Sequence, residues 1–134
     1  MKMLKIIFFS GLYLFLSVSC KTVSVKPVIS NTDQNIIGYW EGCDGRVVKF
    51  TKNEDNSIVG HYEKLGELYK YKFAVNEEGY RLNQQNPGVY KGLVKWKTIS
   101  GEETWKEVTI TIENDIYKDN GSDGCSKEMK RIDI

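Results

Sequence analysis

The sequence predicts an all-β protein: a single small antiparallel up-and-down β-barrel of about eight strands, following a signal peptide and a flexible tether. Three observations predict it. Short runs alternate apolar and polar residues at a period of two, and turn-forming residues punctuate them at the spacing typical of β sandwiches and barrels. No convincing helical period occurs beyond the leader. With 12 glycines, 2 prolines and 12% aromatic residues in 134, the composition suits a compact β domain rather than a disordered chain.

Ile36 to Gly42 is the first strand-like run, and Arg46 to Lys52 the second, with Val48 and Phe50 on one face. Asn53-Glu54-Asp55-Asn56 is a turn cluster, after which Ser57 to Lys64 alternates Ile58, Gly60 and Tyr62. Leu65-Gly66-Glu67 then leads to the most regular alternation in the chain. Tyr69, Tyr71, Phe73 and Val75 share one phase there and Lys70 and Lys72 the other, which predicts a half-buried strand. Glu77-Glu78-Gly79 turns into Tyr80-Arg81-Leu82, and a polar loop from Asn83 to Gly88 follows. Val89 to Lys97 alternates Tyr90, Gly92, Val94 and Trp96; Thr104 to Ile112 alternates Val108, Ile110 and Ile112 against Thr109 and Thr111. Turns at Asn114-Asp115 and Asn120 to Gly124 flank a short strand at Ile116-Tyr117, and Cys125 to Ile132 closes the chain. Sequential strands joined by tight turns favour a meander, and closure is how a meander hides its edges.

Lys2 and Lys5 precede a mostly apolar run from Ile6 to Leu16, followed by the small residues Ser17 and Ser19. The run is well short of the ~20 residues a membrane span needs, so it reads as an export signal. Its end, Leu16-Ser17-Val18-Ser19-Cys20, resembles a bacterial lipoprotein signal, with Ser17 standing where that family usually has Leu. The resemblance implies a signal peptide over 1–19, a lipidated Cys20 that opens a tether over 20–35, and a barrel domain over 36–134. It places the protein in the bacterial cell envelope, held to a membrane by its lipid. It also resolves an odd cysteine count, because Cys43 and Cys125 then remain as a disulfide pair. Such a bridge closes a loop of roughly 80 residues and contributes about 4 kcal/mol in the chain-entropy model. Ser17-Val18-Ser19 equally fits an ordinary secretory cleavage site, in which case Asn120-Gly121-Ser122 would be a glycosylation acceptor in a eukaryotic source.

Removing Lys2 and Lys5 with the leader leaves 17 basic and 18 acidic side chains, a formal charge of −1. Lys and Glu are interspersed, so neither nucleic acid nor anionic lipid finds a basic patch in the sequence. Gly38-Tyr39-Trp40 on the first strand and Arg131 on the last resemble the signature of the lipocalin-like (calycin) barrels. The resemblance implies that Gly38 and Trp40 close the barrel floor and that Arg131 stacks its guanidinium on the indole. It implies noncatalytic binding of a small apolar or amphipathic ligand, with Tyr69, Tyr71, Phe73, Tyr90 and Trp96 facing it. These aromatics also suit plain core packing, since eight-stranded barrels are often filled by their own side chains. The alternative function is a protein-interaction or inhibitor module displayed on the envelope.

Trp105 falls out of phase with Val108, Ile110 and Ile112, which predicts an outward ring or a bulge. His61, the sole histidine, shares strand phase with Val59 and Glu63, the phase expected to face solvent. No nucleophile motif, phosphate loop or dinucleotide fingerprint occurs, so the expectation is no catalytic residue and no cofactor. Asp119 to Gly124 faintly resembles the start of a calcium loop, but Gly121 removes a ligand position and Lys130 stands where the bidentate acid belongs. The expectation there is a turn without metal.

Overall fold

Eight antiparallel strands close on themselves in sequence order in the computed structural model, which describes residues 33–134. They are β1 (Gly38–Glu41), β2 (Val47–Lys52), β3 (Ile58–Lys64), β4 (Glu78–Asn86), β5 (Val89–Lys97), β6 (Glu103–Glu113), β7 (Ile116–Asp119) and β8 (Glu128–Ile132). Closure comes from β1 pairing with β8, where Trp40 stands opposite Arg131. The signal peptide, Cys20 and the tether as far as residue 32 lie outside the described residues.

The alternation read from the sequence becomes an inside and an outside. Val48 and Phe50 on β2, Ile58 and Tyr62 on β3, Tyr80 and Leu82 on β4, and Val108, Ile110 and Ile112 on β6 are all buried. Register shifts at Val47/Val48 and at Gly60/His61 bend β2, β3 and β4 around this core. Gly60 is required by packing: a Cβ there would lie 2.7 Å from Phe50 Cε1 and 2.9 Å from Tyr80 Cδ2. A column of rings then fills the interior. Trp40 meets Tyr117 with centroids 5.9 Å apart, Tyr117 meets Phe50 at 6.1 Å, Phe50 meets Tyr80 at 5.2 Å and Tyr80 meets Tyr62 at 6.1 Å. Fully burying large side chains of this kind stabilises by about 1.5–3 kcal/mol each.

One end of the barrel is sealed. Trp40 is fully buried, its indole N–H donates to the Ile36 carbonyl at 2.8 Å, and the Arg131 guanidinium lies 4.3 Å from its ring centroid. Gly38 has a φ of +128°, and a Cβ would press on the Arg131 guanidinium at 3.2 Å, so the strand needs glycine there. Arg131 also donates to the carbonyls of Ile37 and Asn35 and pairs with Asp115. The end of the expected tether is therefore part of the floor: Gln34 and Asn35 are bonded into it rather than free of it.

Cys43 and Cys125 form the disulfide, with Cα atoms 4.9 Å apart and a sequence separation of 82. The bridge lies near the opposite end from the Gly38–Arg131 contact, tying the segment after β1 to a 3-10 turn, Gly124–Ser126, just before β8.

The expected strand over Tyr69 to Val75 is a correction. Gly66–Tyr71 is a 3-10 helix, ended by Lys72 in the left-handed region at φ 62°. Leu68 and Phe73 turn inward there, while Tyr69, Tyr71 and Val75 are exposed. A spacing of three puts Leu68 and Tyr71 on one side of a 3-10 turn, so the residues that alternate in sequence do not share a face. The polar stretch after Leu82 is the opposite error: β4 continues through it to Asn86.

Candidate functional site

The open end of the barrel, away from Trp40, carries a lid. The 3-10 helix Gly66–Tyr71 crosses it, held down by Leu68 and latched at its first turn by Asp44, whose carboxylate accepts from the Glu67 amide at 2.8 Å. Asp44 in turn is clamped by Arg46, with Nε and Nη2 donating to its two oxygens at 2.8 and 2.7 Å. Burial opposes the Asp44 charge, but hydrogen bonds from Arg46 and the Glu67 amide, with the Arg46 charge, hold the carboxyl well below the usual range. Arg46 Nη1 donates to Ser126 Oγ at 2.6 Å, so the latch reaches the segment held by the disulfide.

Beneath the lid lies a cavity of about 400 Å³. Its lining mixes the apolar side chains Leu68, Tyr71, Phe73, Val94 and Trp96 with polar and charged ones, among them Arg46, Glu67, Lys70, Tyr62, Ser122 and Asp123. Trp96 is fixed by its indole N–H, which donates to the Gly121 carbonyl at 2.9 Å, and Lys106 sits 3.9 Å from its ring centroid. Lys95 and Lys97 on the rim both pair with Glu77, at 3.3 and 2.7 Å, and Lys97 lies over the Phe73 ring at 4.7 Å.

The Tyr80 hydroxyl and Ser122 Oγ are sealed from solvent, and among the described residues no group stands in good hydrogen-bond geometry to either, although the hydroxyls of Tyr62, Tyr117, Ser122 and Ser126 crowd around Tyr80 and Asp119 lies beside Ser122. Burial, then the nearby Asp119 charge, pushes the Tyr80 hydroxyl above its ordinary value, so it keeps its proton at neutral pH. Asp119 accepts from the Tyr117 hydroxyl and the Ser122 amide, each at 2.7 Å, and burial raises its carboxyl despite those bonds.

Two other hollows differ in kind. A groove of about 790 Å³ runs past the disulfide between Glu41–Gly45 and Lys118–Lys130, lined by interspersed acids, lysines and glycines without an aromatic ring. A smaller one of about 230 Å³ lies at the floor, beside Gln34, Asn35 and Tyr90.

The structure divides the residues expected to face a ligand. Phe73, Tyr71 and Trp96 meet at the cavity. Tyr69 does not; it is 62% exposed on the outer side of the lid. Tyr90 lies away from this cavity, at the sealed end, where its hydroxyl accepts from the Ile36 amide and donates to the Gln34 carbonyl. Trp105 faces outward, with Arg81 4.2 Å and Lys95 5.1 Å from its ring centroid. His61 is half-buried on the outer face of β3. The 119–124 segment turns Asp119 inward to Tyr117, and among the described residues no group of three His, Cys, Asp or Glu side chains converges on a metal-sized site.

Sequence reasoning missed the polar part of the lining. Arg46 carried a signal, since it shares phase with Val48 and Phe50 and so points a charge inward. Tyr80 was legible only as a core residue, and Ser122 as a turn residue; nothing local places either of them beside the cavity.

A closed eight-stranded antiparallel barrel, sealed at one end by Trp40 under Arg131 and lidded at the other, is consistent with a calycin-like fold. No family model matches the chain, and no significant match was found among curated proteins or solved structures.

Proposed function

We propose that this chain is a noncatalytic binding protein of the bacterial cell envelope, anchored through lipid on Cys20, whose mouth cavity takes one small amphipathic ligand. The single observation behind the reading is the cavity under the lid, lined by both apolar and polar side chains. Its volume falls in the range of small-molecule sites, and polar groups set among apolar ones are what such sites use to orient a ligand. The column of rings below leaves the ligand at the mouth rather than deep in the barrel. Two or three acyl chains on Cys20, at about 0.8 kcal/mol per buried CH₂, would hold the domain firmly at a membrane.

Native mass spectrometry of the full chain purified from its own host tests the reading. The expected result is a noncovalent small-molecule adduct that disappears when Val94→Phe fills the cavity. A bare mass for both proteins contradicts it. In the same host Cys20→Ala should leave the membrane fraction; retention there contradicts the anchor. The second reading, a protein-interaction or inhibitor module, draws on the outer face of β5 and β6. Trp105 stands across from Lys95 there, beside Leu93, which is 37% exposed. A retained protein in place of a small adduct would favour it.

A further inference from the structure

We propose that the Cys43–Cys125 bridge is a thiol–disulfide exchange site for a dithiol reductant, and that its reduction releases the lid from the mouth. The inference stands apart from the ligand-binding reading, because release of the lid is read directly and needs no ligand.

The first argument is access. Exchange requires a thiolate to reach one sulfur of the bridge, so burial protects a disulfide and exposure offers it. Cys43 is exposed and Cys125 half-buried, and both line the groove of about 790 Å³. Lys118, Lys127 and Lys130 line the same groove against Glu41 and Glu128, and among the described residues none of the five belongs to an ion pair. Asp119, the remaining acid there, is turned inward to the Tyr117 hydroxyl. Ammonium groups near a cysteine favour its thiolate, the form in which a sulfur attacks or leaves.

The second argument is linkage. Asp44, next in the chain to Cys43, accepts from the Glu67 amide at the first turn of the lid. A Cβ on Gly66 would lie 2.6 Å from the Asp44 carboxyl, so the lid starts pressed against its latch. Arg46 clamps Asp44 and reaches Ser126, next to Cys125, at 2.6 Å. The bridge therefore joins the two segments that carry the latch, one residue away from it on each side. With the bridge open the covalent tie is gone, and the Arg46–Ser126 bond is left to hold them.

The third argument is locality. Closure of the barrel rests on β1 paired with β8 from Tyr39 to Glu41, and the far end is sealed by Trp40 under Arg131. Neither involves a cysteine. Opening the bridge loosens the mouth and leaves the closed barrel in place.

The exchange runs in two displacements. A thiolate of the dithiol attacks Sγ of Cys43, an intermolecular S–S bond forms, and the Cys43–Cys125 bond breaks. Cys125 leaves as a thiolate and takes a proton from water. The second thiol of the reductant loses its proton and attacks its own partner sulfur in the mixed disulfide. Cys43 then leaves as a thiolate and is protonated. The bridge gains two electrons and two protons, and the dithiol loses both as it becomes a disulfide.

Dithiothreitol is the probe, added to the full chain at neutral pH. New thiols are counted by mass after alkylation, amide exchange is read at Glu67, and the fold is read from the Ile110 and Ile112 methyl signals. Reduction should complete without denaturant, and urea below the unfolding transition should leave its rate unchanged, because the sulfur is reached without unfolding. On reduction the Glu67 amide should exchange at least about tenfold faster while the two methyl signals keep their folded positions. Arg131→Ala, which weakens the far end with the bridge intact, should leave Glu67 protected. The inference is overturned if the bridge resists dithiothreitol, or if its reduction accelerates steeply with urea. Collapse of the Ile110 and Ile112 signals on reduction would make the bridge a staple of the whole domain and overturn it too. So would a Glu67 amide that stays protected, or one that Arg131→Ala exposes equally. All of these results leave the ligand-binding reading standing, since that rests on the cavity.

Discussion

Trp40 and Arg131 are the pair on which the sealed end depends. The indole is fully buried, hydrogen-bonded to Ile36, and covered by a guanidinium that also holds two carbonyls and Asp115. Truncating a buried Trp removes its transfer free energy and leaves a cavity, so Trp40→Ala should cost roughly 3–5 kcal/mol in denaturant unfolding. Arg131→Ala should cost less, since the indole stays and only the stacking and its partly exposed bonds are lost. An equal loss from the two variants, or a near-neutral Trp40→Ala, would contradict this picture of the floor. Gly38, Trp40 and Arg131 were legible in the sequence through its resemblance to the calycin signature, which rests on these three residues. The place of Tyr80 and Ser122 beside the cavity was not, because only three-dimensional packing creates it.

Among the elements, the lid is where local pattern and outcome part. Tyr69, Tyr71, Phe73 and Val75 alternate with lysines as a strand would, yet β3 already pairs directly with β4, so no place in the barrel remains for another strand. Tertiary pairing overrides the period, and Gly66 at φ +54°, Lys72 at φ 62° and Asn76 at φ 65° break the extended path. The remaining strands followed the sequence because each must bury one face, which forces a period of two. The lid's latch has a pH signature. Asp44 has a folded pKa below its unfolded value of about 3.9, so its contribution is fully present above that value and fades as pH falls through the folded one. Hydrogen exchange at the Glu67 amide should therefore keep its protection from neutral pH down to the ordinary carboxylate range and lose it only in stronger acid. Asp44→Asn should lower that protection throughout the range in which the carboxylate is ionised and abolish its acid dependence. Protection that falls already near neutrality, or that survives in Asp44→Asn unchanged, would show that another group latches the lid.

At the scale of the whole molecule, the barrel is closed by β1 against β8 at one end and stapled by Cys43–Cys125 towards the other, with its middle packed by rings. The interior is filled by side chains, as eight-stranded barrels often are, and leaves one lidded cup at the mouth. The most direct test is dissolved xenon, which enters dry apolar space and shifts the methyl signals lining it. In the full chain, Leu68 and Val94 should shift with xenon pressure, while Leu82, Ile110 and Ile112 should not. Shifts at Leu82 or Ile110, with Leu68 and Val94 unmoved, would mean that the space lies inside the barrel and that the cup under the lid is not the binding site.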